Sequence, residues 1–128
     1  MDDRNLIAVA EQAAAPSRVL RGAREGATVK ADDGRVFLGC RMEFADPGLD
    51  TDAISNGMAA GQAQGMRRVA RVGLYSPAGE GLPRIPRATL LRLRELAAPG
   101  LVVILSGGNG RYVEKRLEDL LAEAGVGR

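Results

Sequence analysis

The spacing of apolar positions along the chain predicts an alternation of helices and strands. Leu6, Ile7, Val9, Ala10, Ala13 and Ala14 recur at helical intervals and predict a helix over residues 3–14, closed by Pro16 and Ser17. Residues 15–26 break the pattern with Pro, Ser, Arg and Gly and read as a loop with several basic side chains. Two short stretches, Ala27–Ala31 and Arg35–Cys40, flank Asp32-Asp33-Gly34. Asp-Gly supplies the positive φ angles of a type I′ turn, so the two stretches are expected to pair as a hairpin. After a loop at Ala45-Asp46-Pro47-Gly48, Asp50 or Thr51 is placed to cap a helix running to about Gly65. That helix carries Ala53, Ile54, Met58, Ala59 and Ala63, small residues suited to close packing on a sheet or another helix.

The second half repeats the alternation. Val69–Tyr75 is a run for a buried strand, and residues 76–85 form a loop rich in Pro and Gly. Pro86 suits the first turn of a helix whose apolar face is Leu90, Leu91, Leu93 and Leu96, with Pro99-Gly100 as its end. Leu101–Leu105 is a fully apolar strand, Ser106–Gly110 a turn, and Arg111–Val113 a short extended piece. The last helix is expected at about residues 114–124, with Leu117, Leu120 and Leu121 inward and Gly125 as its stop. Helices alternating with buried strands argue for one α/β domain over residues 1–128, a mixed sheet covered by helices.

Composition narrows the chemistry. Aromatics are only 3% of the 128 residues, with no Trp, so the core is aliphatic. The formal net charge is +2, from 18 basic and 16 acidic residues, which is no nucleic-acid footprint. There is no histidine and one cysteine, Cys40, so histidine-based catalysis, an ordinary zinc-hydrolase centre and an internal disulfide are all excluded. A reducing cytoplasm fits that cysteine usage. The charged start Met1-Asp2-Asp3-Arg4 is followed by no apolar h-region, and no run of apolar residues is long enough to span a membrane.

Several segments look alike at first to sites and to ordinary surface. Arg18, Arg21 and Arg24 share one loop, and Arg67, Arg68 and Arg71 cluster later. Single-strand binders need aromatic platforms, which are nearly absent, so a solvated face is the better reading. Ser106-Gly107-Gly108-Asn109-Gly110 lacks the Lys-Ser/Thr of a P-loop and reads as a turn. Cys40 has no His to activate it and reads as a packed thiol. Asp32, Asp33, Asp50 and Asp52 do not follow calcium-loop spacing and are explained by turns and caps.

The chain resembles the small cytidine deaminases over nearly its whole length. Asp33-Gly34-Arg35-Val36-Phe37-Leu38-Gly39-Cys40 is similar to that family's D-G-x-x-[FY]-x-G-C hairpin, with Gly26-Ala27 as the approach to it. Glu43 stands where the family has a ribose-binding Glu, and Leu93-Arg94-Glu95-Leu96 resembles its L-R-E-F. The resemblance implies a three-layer α/β/α sandwich with a mixed sheet of about five strands. It also implies a tetramer with sites completed by neighbouring subunits, a zinc ion, and a nucleoside cleft.

The catalytic signatures of that family are absent from the same frame. Its [HC]-A-E aligns to Asp52-Ala53-Ile54, and its P-C-x-x-C to a segment with Pro86 and Thr89 at the ligand positions. The zinc positions are thus Asp52, Pro86 and Thr89, and the proton-shuttle position is Ile54. In that family the zinc-bound water attacks the base and the Glu moves protons, which neither Pro nor Ile can support. An Asn that helps hold ribose is replaced by Arg41, Phe44 and Asp46 follow Glu43 in place of Asn and Ser, and Ala23 stands where a Phe packs near the base. The expectation is a zinc-free, inactive relative with no cofactor, its ligand-binding candidates being Arg41, as a phosphate clamp, and Glu43. Its expected partners are copies of itself, an active deaminase homologue, or a nucleoside or nucleotide, and no membrane. The alternative is a metal-independent enzyme acting on nucleosides or nucleotides, with Glu43 and Asp52 as acid and base.

Overall fold

A computed structural model describes residues 1–77 and 81–126. In chain order the elements are α1 (Asp3–Ala14), β1 (Gly26–Ala31), β2 (Val36–Cys40), a 3-10 turn at Pro47–Leu49, α2 (Ala53–Ala63), β3 (Val69–Tyr75), α3 (Arg87–Leu96), β4 (Ala97–Gly108), β5 (Arg111–Arg116) and α4 (Leu117–Glu123). The five strands form one sheet in the order β2-β1-β3-β4-β5. Only the β3–β4 pair is parallel; the other neighbours run antiparallel. The expected mixed five-stranded α/β sandwich is what the chain adopts.

Strand alternation decides which helix covers which face. From β1, Ala27, Val29 and Ala31 join Val72, Leu74, Val103 and Leu105 in the larger core, which α2, α3 and α4 cover through Ile54, Met58, Leu90, Leu93 and Leu117. On the opposite face Ile104 meets Leu6 and Ile7 of α1, and Tyr75 meets Ala10 and Ala14. Buried Thr28 donates its hydroxyl to the Leu6 carbonyl at 3.0 Å, satisfying a polar group on that face.

Two glycines set how closely the helices approach. A methyl group built on Gly26 would collide with the backbone of Ala10 and Ala14, and one on Gly39 with the backbone of Ala53 and Gly57. The buried face of α2 is Ala53, Ile54, Gly57, Met58 and Gly61, whereas Ala59 and Ala63 face outward. The small residues therefore serve contact with the sheet, which brings the N-terminus of α2 beside the end of β2.

Several local expectations are corrected. The first hairpin is not closed by a type I′ turn, because only Gly34 has positive φ (92°), while Asp33 accepts from the Arg35 amide and guanidinium instead. The type I′ geometry belongs to Asn109 (φ 60°) and Gly110 (φ 68°), which join β4 directly to β5. Ser106, Gly107 and Gly108 are strand residues, so the turn is two residues long. Pro99-Gly100 does not end α3; the helix stops at Leu96 and the pair sits inside β4, where the register with β3 shifts and Gly100 adopts φ 77°. Glu114–Arg116 belong to β5, paired with Val102–Ile104, so α4 begins at Leu117. Cross-strand pairing, invisible in local sequence, outweighs the helical look of those charged residues. Residues 78–80 of the long loop lie outside the described residues.

Candidate functional site

The sequence-predicted residues fall into two neighbouring groups. The first surrounds Glu43, which follows the end of β2. Met42 pairs by backbone with Thr51 on one side, and the chain on the other side runs beside Arg18. The Glu43 amide donates to the Arg18 carbonyl at 2.6 Å, and the Arg18 guanidinium returns a hydrogen bond to the Glu43 carbonyl. These main-chain ties drive the Glu43 side chain inward, where it is 1% exposed.

Its carboxylate is fully engaged. Oε1 accepts from the amides of Leu20 (2.6 Å), Arg21 (2.7 Å) and Gly22 (3.4 Å), and Oε2 accepts from Arg41 Nε at 2.8 Å. The Arg41 guanidinium and the loop amides hold the Glu43 carboxyl down to about 2, ionised at any ordinary pH. Arg41 also lies 3.5 Å from Asp50. Asp50 in turn accepts from Arg21 (2.6 Å) and from the Phe44 amide (2.8 Å), and Arg21 above all holds its carboxyl low. The Arg18 guanidinium lies 5.6 Å over the Phe44 ring. Arg21, Arg41, Glu43 and Asp50 therefore form one ionic network, flanked by Arg18, that shapes residues 18–22.

Asp50 is consequently not the cap of α2, and neither is Thr51, whose hydroxyl accepts from Asn56 at 3.0 Å. The cap is Asp52, through Oδ2 and the Ser55 amide at 3.2 Å. Here begins the second group, where the first turns of α2 and α3 meet. Ser55 Oγ and buried Thr89 Oγ1 are 3.4 Å apart. Arg92 Nη1 donates to Ser55 Oγ at 3.0 Å and lies 3.9 Å from Asp52 Oδ1. Pro86 stands at the N-cap of α3 and contributes no side-chain hydrogen bond. Ile54 is 1% exposed and packs in the larger core.

Sequence reasoning missed three residues here. Ser55 and Arg92 match no spacing rule; helix facing brings them to Asp52 and Thr89. Glu25 was hidden in the basic loop. Its main chain bonds to Ser17 and Arg41, and its Oε1 accepts from the Ala53 amide at 2.9 Å, the first turn of α2. Burial pushes the Glu25 carboxyl up, the Ala53 amide opposes this, and the negative charge of Asp52 adds to it. The only signal was position: Glu25 immediately precedes Gly26-Ala27.

The residues at this junction do not fit zinc. Asp52 supplies one carboxylate, Ser55 and Thr89 neutral hydroxyls, and Pro86 no donor, whereas zinc takes Cys, His and carboxylate in fours. A guanidinium faces Asp52 where a metal would need a donor. Among the described residues no three His, Cys, Asp or Glu gather to hold a metal ion. Cys40 is a free, half-buried thiol at the end of β2 whose carbonyl accepts from Asn56 at 2.7 Å.

Other candidates are accounted for by structure. Arg71 is gripped by Asp3 (2.6 and 2.9 Å) and Glu114 (3.0 Å), and Arg68 donates to the Glu95 carbonyl. Buried Ser106 accepts the Gly108 amide. Two cavities of about 320 and about 360 Å³ lie beside α4, one walled by Leu82, Ile85, Leu105 and Leu120, the other by Ala97, Pro99, Leu117 and Leu121. Neither includes Glu43, Arg41 or Asp52 in its lining. No helix among the described residues is long and apolar enough to cross a membrane.

No protein-family model and no curated protein matches the chain. Solved structures do. A cytidine deaminase from Burkholderia pseudomallei is 27% identical over 94% of this chain and 96% of its own, with a TM-score of 0.86. A cytidine deaminase from Mycobacterium tuberculosis is 30% identical over 94% of both chains, with a TM-score of 0.78. The cytidine deaminase from Mycobacterium leprae, 24% identical with a TM-score of 0.79 over 94% of this chain and 98% of its own, shares the fold.

Proposed function

The chain belongs to the cytidine deaminase-like family, and we propose that it is a zinc-free member without deaminase activity that serves as an oligomeric or regulatory scaffold. The observation that carries this is the α2–α3 junction. Where the family resemblance places three metal ligands and a proton carrier, this chain has Asp52, Pro86, Thr89 and core-buried Ile54. A zinc-bound hydroxide needs a metal held by strong donors, and a proton shuttle needs a titratable group; these residues offer neither. No cofactor is required for such a role. The free single cysteine suits a cytoplasmic location.

The partner is another copy of this chain, as a dimer or tetramer, or an active deaminase homologue. Support comes from exposed apolar side chains on and beside the ionic network: Leu20 (54% exposed), Met42 (40%) and Leu49 (60%). Large apolar residues grouped on a rigid surface mark contact sites. Less supports a carboxylate enzyme built on Glu43 and Asp52. Glu43 has both oxygens bound and is held ionised, so it is a poor proton donor, and Asp52 caps α2. For the same reason Arg41, spent on Glu43 and Asp50, has less to offer a phosphate.

The test pairs metal analysis of the purified protein with a cytidine deamination assay, with and without added zinc. We expect no retained zinc and no uridine formed. Stoichiometric zinc with measurable deamination would overturn the proposal. A concentration series in analytical ultracentrifugation, alone and mixed with an active deaminase, then reads the assembly.

A further inference from the structure

The junction of α2 and α3 presents a physical problem. Both helices point their positive N-termini at the same small region, where the Ser55 and Thr89 hydroxyls meet at 3.4 Å. α3 has no side-chain cap of its own. Asp52 places a carboxylate there, which the dipole of α2 favours, and burial leaves its side chain 9% exposed. One cation faces it. Arg92, one turn beyond Thr89 on α3, reaches back along its helix so that Nη1 meets Ser55 Oγ at 3.0 Å and Asp52 Oδ1 at 3.9 Å. Among the described residues Asp52 is the charged group within ion-pair distance of Arg92, and Glu25 accepts from the Ala53 amide in the same first turn of α2.

We infer that Arg92 is a built-in cation that clamps α3 to α2, doing with a side chain the structural work that a bound metal does at a junction of this kind. From its place on α3 it meets two groups of α2, the cap carboxylate and a hydroxyl. The inference rests on the zinc-free reading. It goes further in naming Arg92 as a positioning residue and in making the junction sensitive to salt rather than to chelators. Arg92 is 57% exposed, so the effect is modest, of the size of a partly screened ion pair.

The test is a double-mutant cycle on Arg92→Met and Asp52→Asn, because Asn keeps the helix cap and removes only the charge. Arg92→Met is expected to lower Tm by about 2–4 °C at low salt, less at 1 M salt, and less again in the Asp52→Asn background. Amide exchange should accelerate at the first turns of α2 and α3 and not at β1 or β3. Arg92→Lys should recover part of the loss. Unchanged stability in Arg92→Met, or losses that simply add across the cycle, would overturn the clamp. A separate readout keeps the two ideas apart: Tm of the unaltered protein with EDTA and with zinc. A large zinc-dependent rise would sink the zinc-free reading, whereas a flat response with a non-coupled Arg92 would sink the clamp alone.

Discussion

Two polar regions lie side by side in this chain and solve opposite problems. Around Glu43 an inward carboxylate is surrounded by three amides and an arginine, and both carboxylates of the network, Glu43 and Asp50, are met by arginines. At the α2–α3 junction the groups are fewer, one carboxylate and two hydroxyls, and bridged by one half-exposed arginine. The difference follows from solvent. A carboxylate buried as deeply as Glu43 is tolerable only when each lone pair is bound. Asp52 is nearly as buried but is answered by the Ser55 amide and by Arg92, and only Arg92 reaches water. Glu43 thus works as an internal staple for residues 20–22, while Asp52 works as a helix cap beside the Ser55–Thr89 hydroxyl pair.

The contrast can be broken most severely at Glu43. Glu43→Ala strips the partner from three loop amides and Arg41, and we expect a fall in Tm on the order of 10 °C or failure to fold; scanning calorimetry reads it. Glu43→Gln refines this by pH. The folded carboxyl is held near 2, below the ordinary 4.5, so its contribution is complete above about 4.5 and is lost as pH falls toward 2. Acid unfolding between those values should flatten in Glu43→Gln. Gly39→Ala probes the seat of the junction by forcing α2 off β2, at a cost of about 3 kcal/mol in urea titration.

A smaller effect of opposite sign is expected at Glu25. Its folded carboxyl is raised, mainly by burial, so its stabilising contribution is present below 4.5 and disappears as pH rises through the folded value. Glu25→Gln should therefore gain a few degrees in Tm over the parent at pH 8, with the gain shrinking toward pH 4. The smallest response sought is to ligands. Cytidine or its monophosphate at millimolar concentration should move Tm by less than about 1 °C, since Glu43 and Arg41 bind each other. A clear rise with the monophosphate alone would mean that Arg41 exchanges Asp50 for phosphate.

The amino-acid sequence by itself determined the alternation of elements, because helix and strand periods are local properties of the apolar pattern. It also settled the lack of histidine and of a second cysteine, a matter of counting. Strand extents were less legible: Glu114–Arg116 look helical until β4 supplies pairing partners, and Pro99-Gly100 looks like a stop until β4 absorbs it as a bulge. The site was legible as positions and not as chemistry. Glu43, Arg41, Asp50 and Asp52 could be picked out, yet Asp50 exchanged a helix cap for an arginine, and Glu43 met loop amides about twenty residues earlier in the chain. Ser55 and Arg92 carried no signal, and Glu25 only its place before Gly26-Ala27. Their meaning comes from which turns of α2 and α3 meet, and from Gly39 seating α2 against β2, which only the tertiary structure decides.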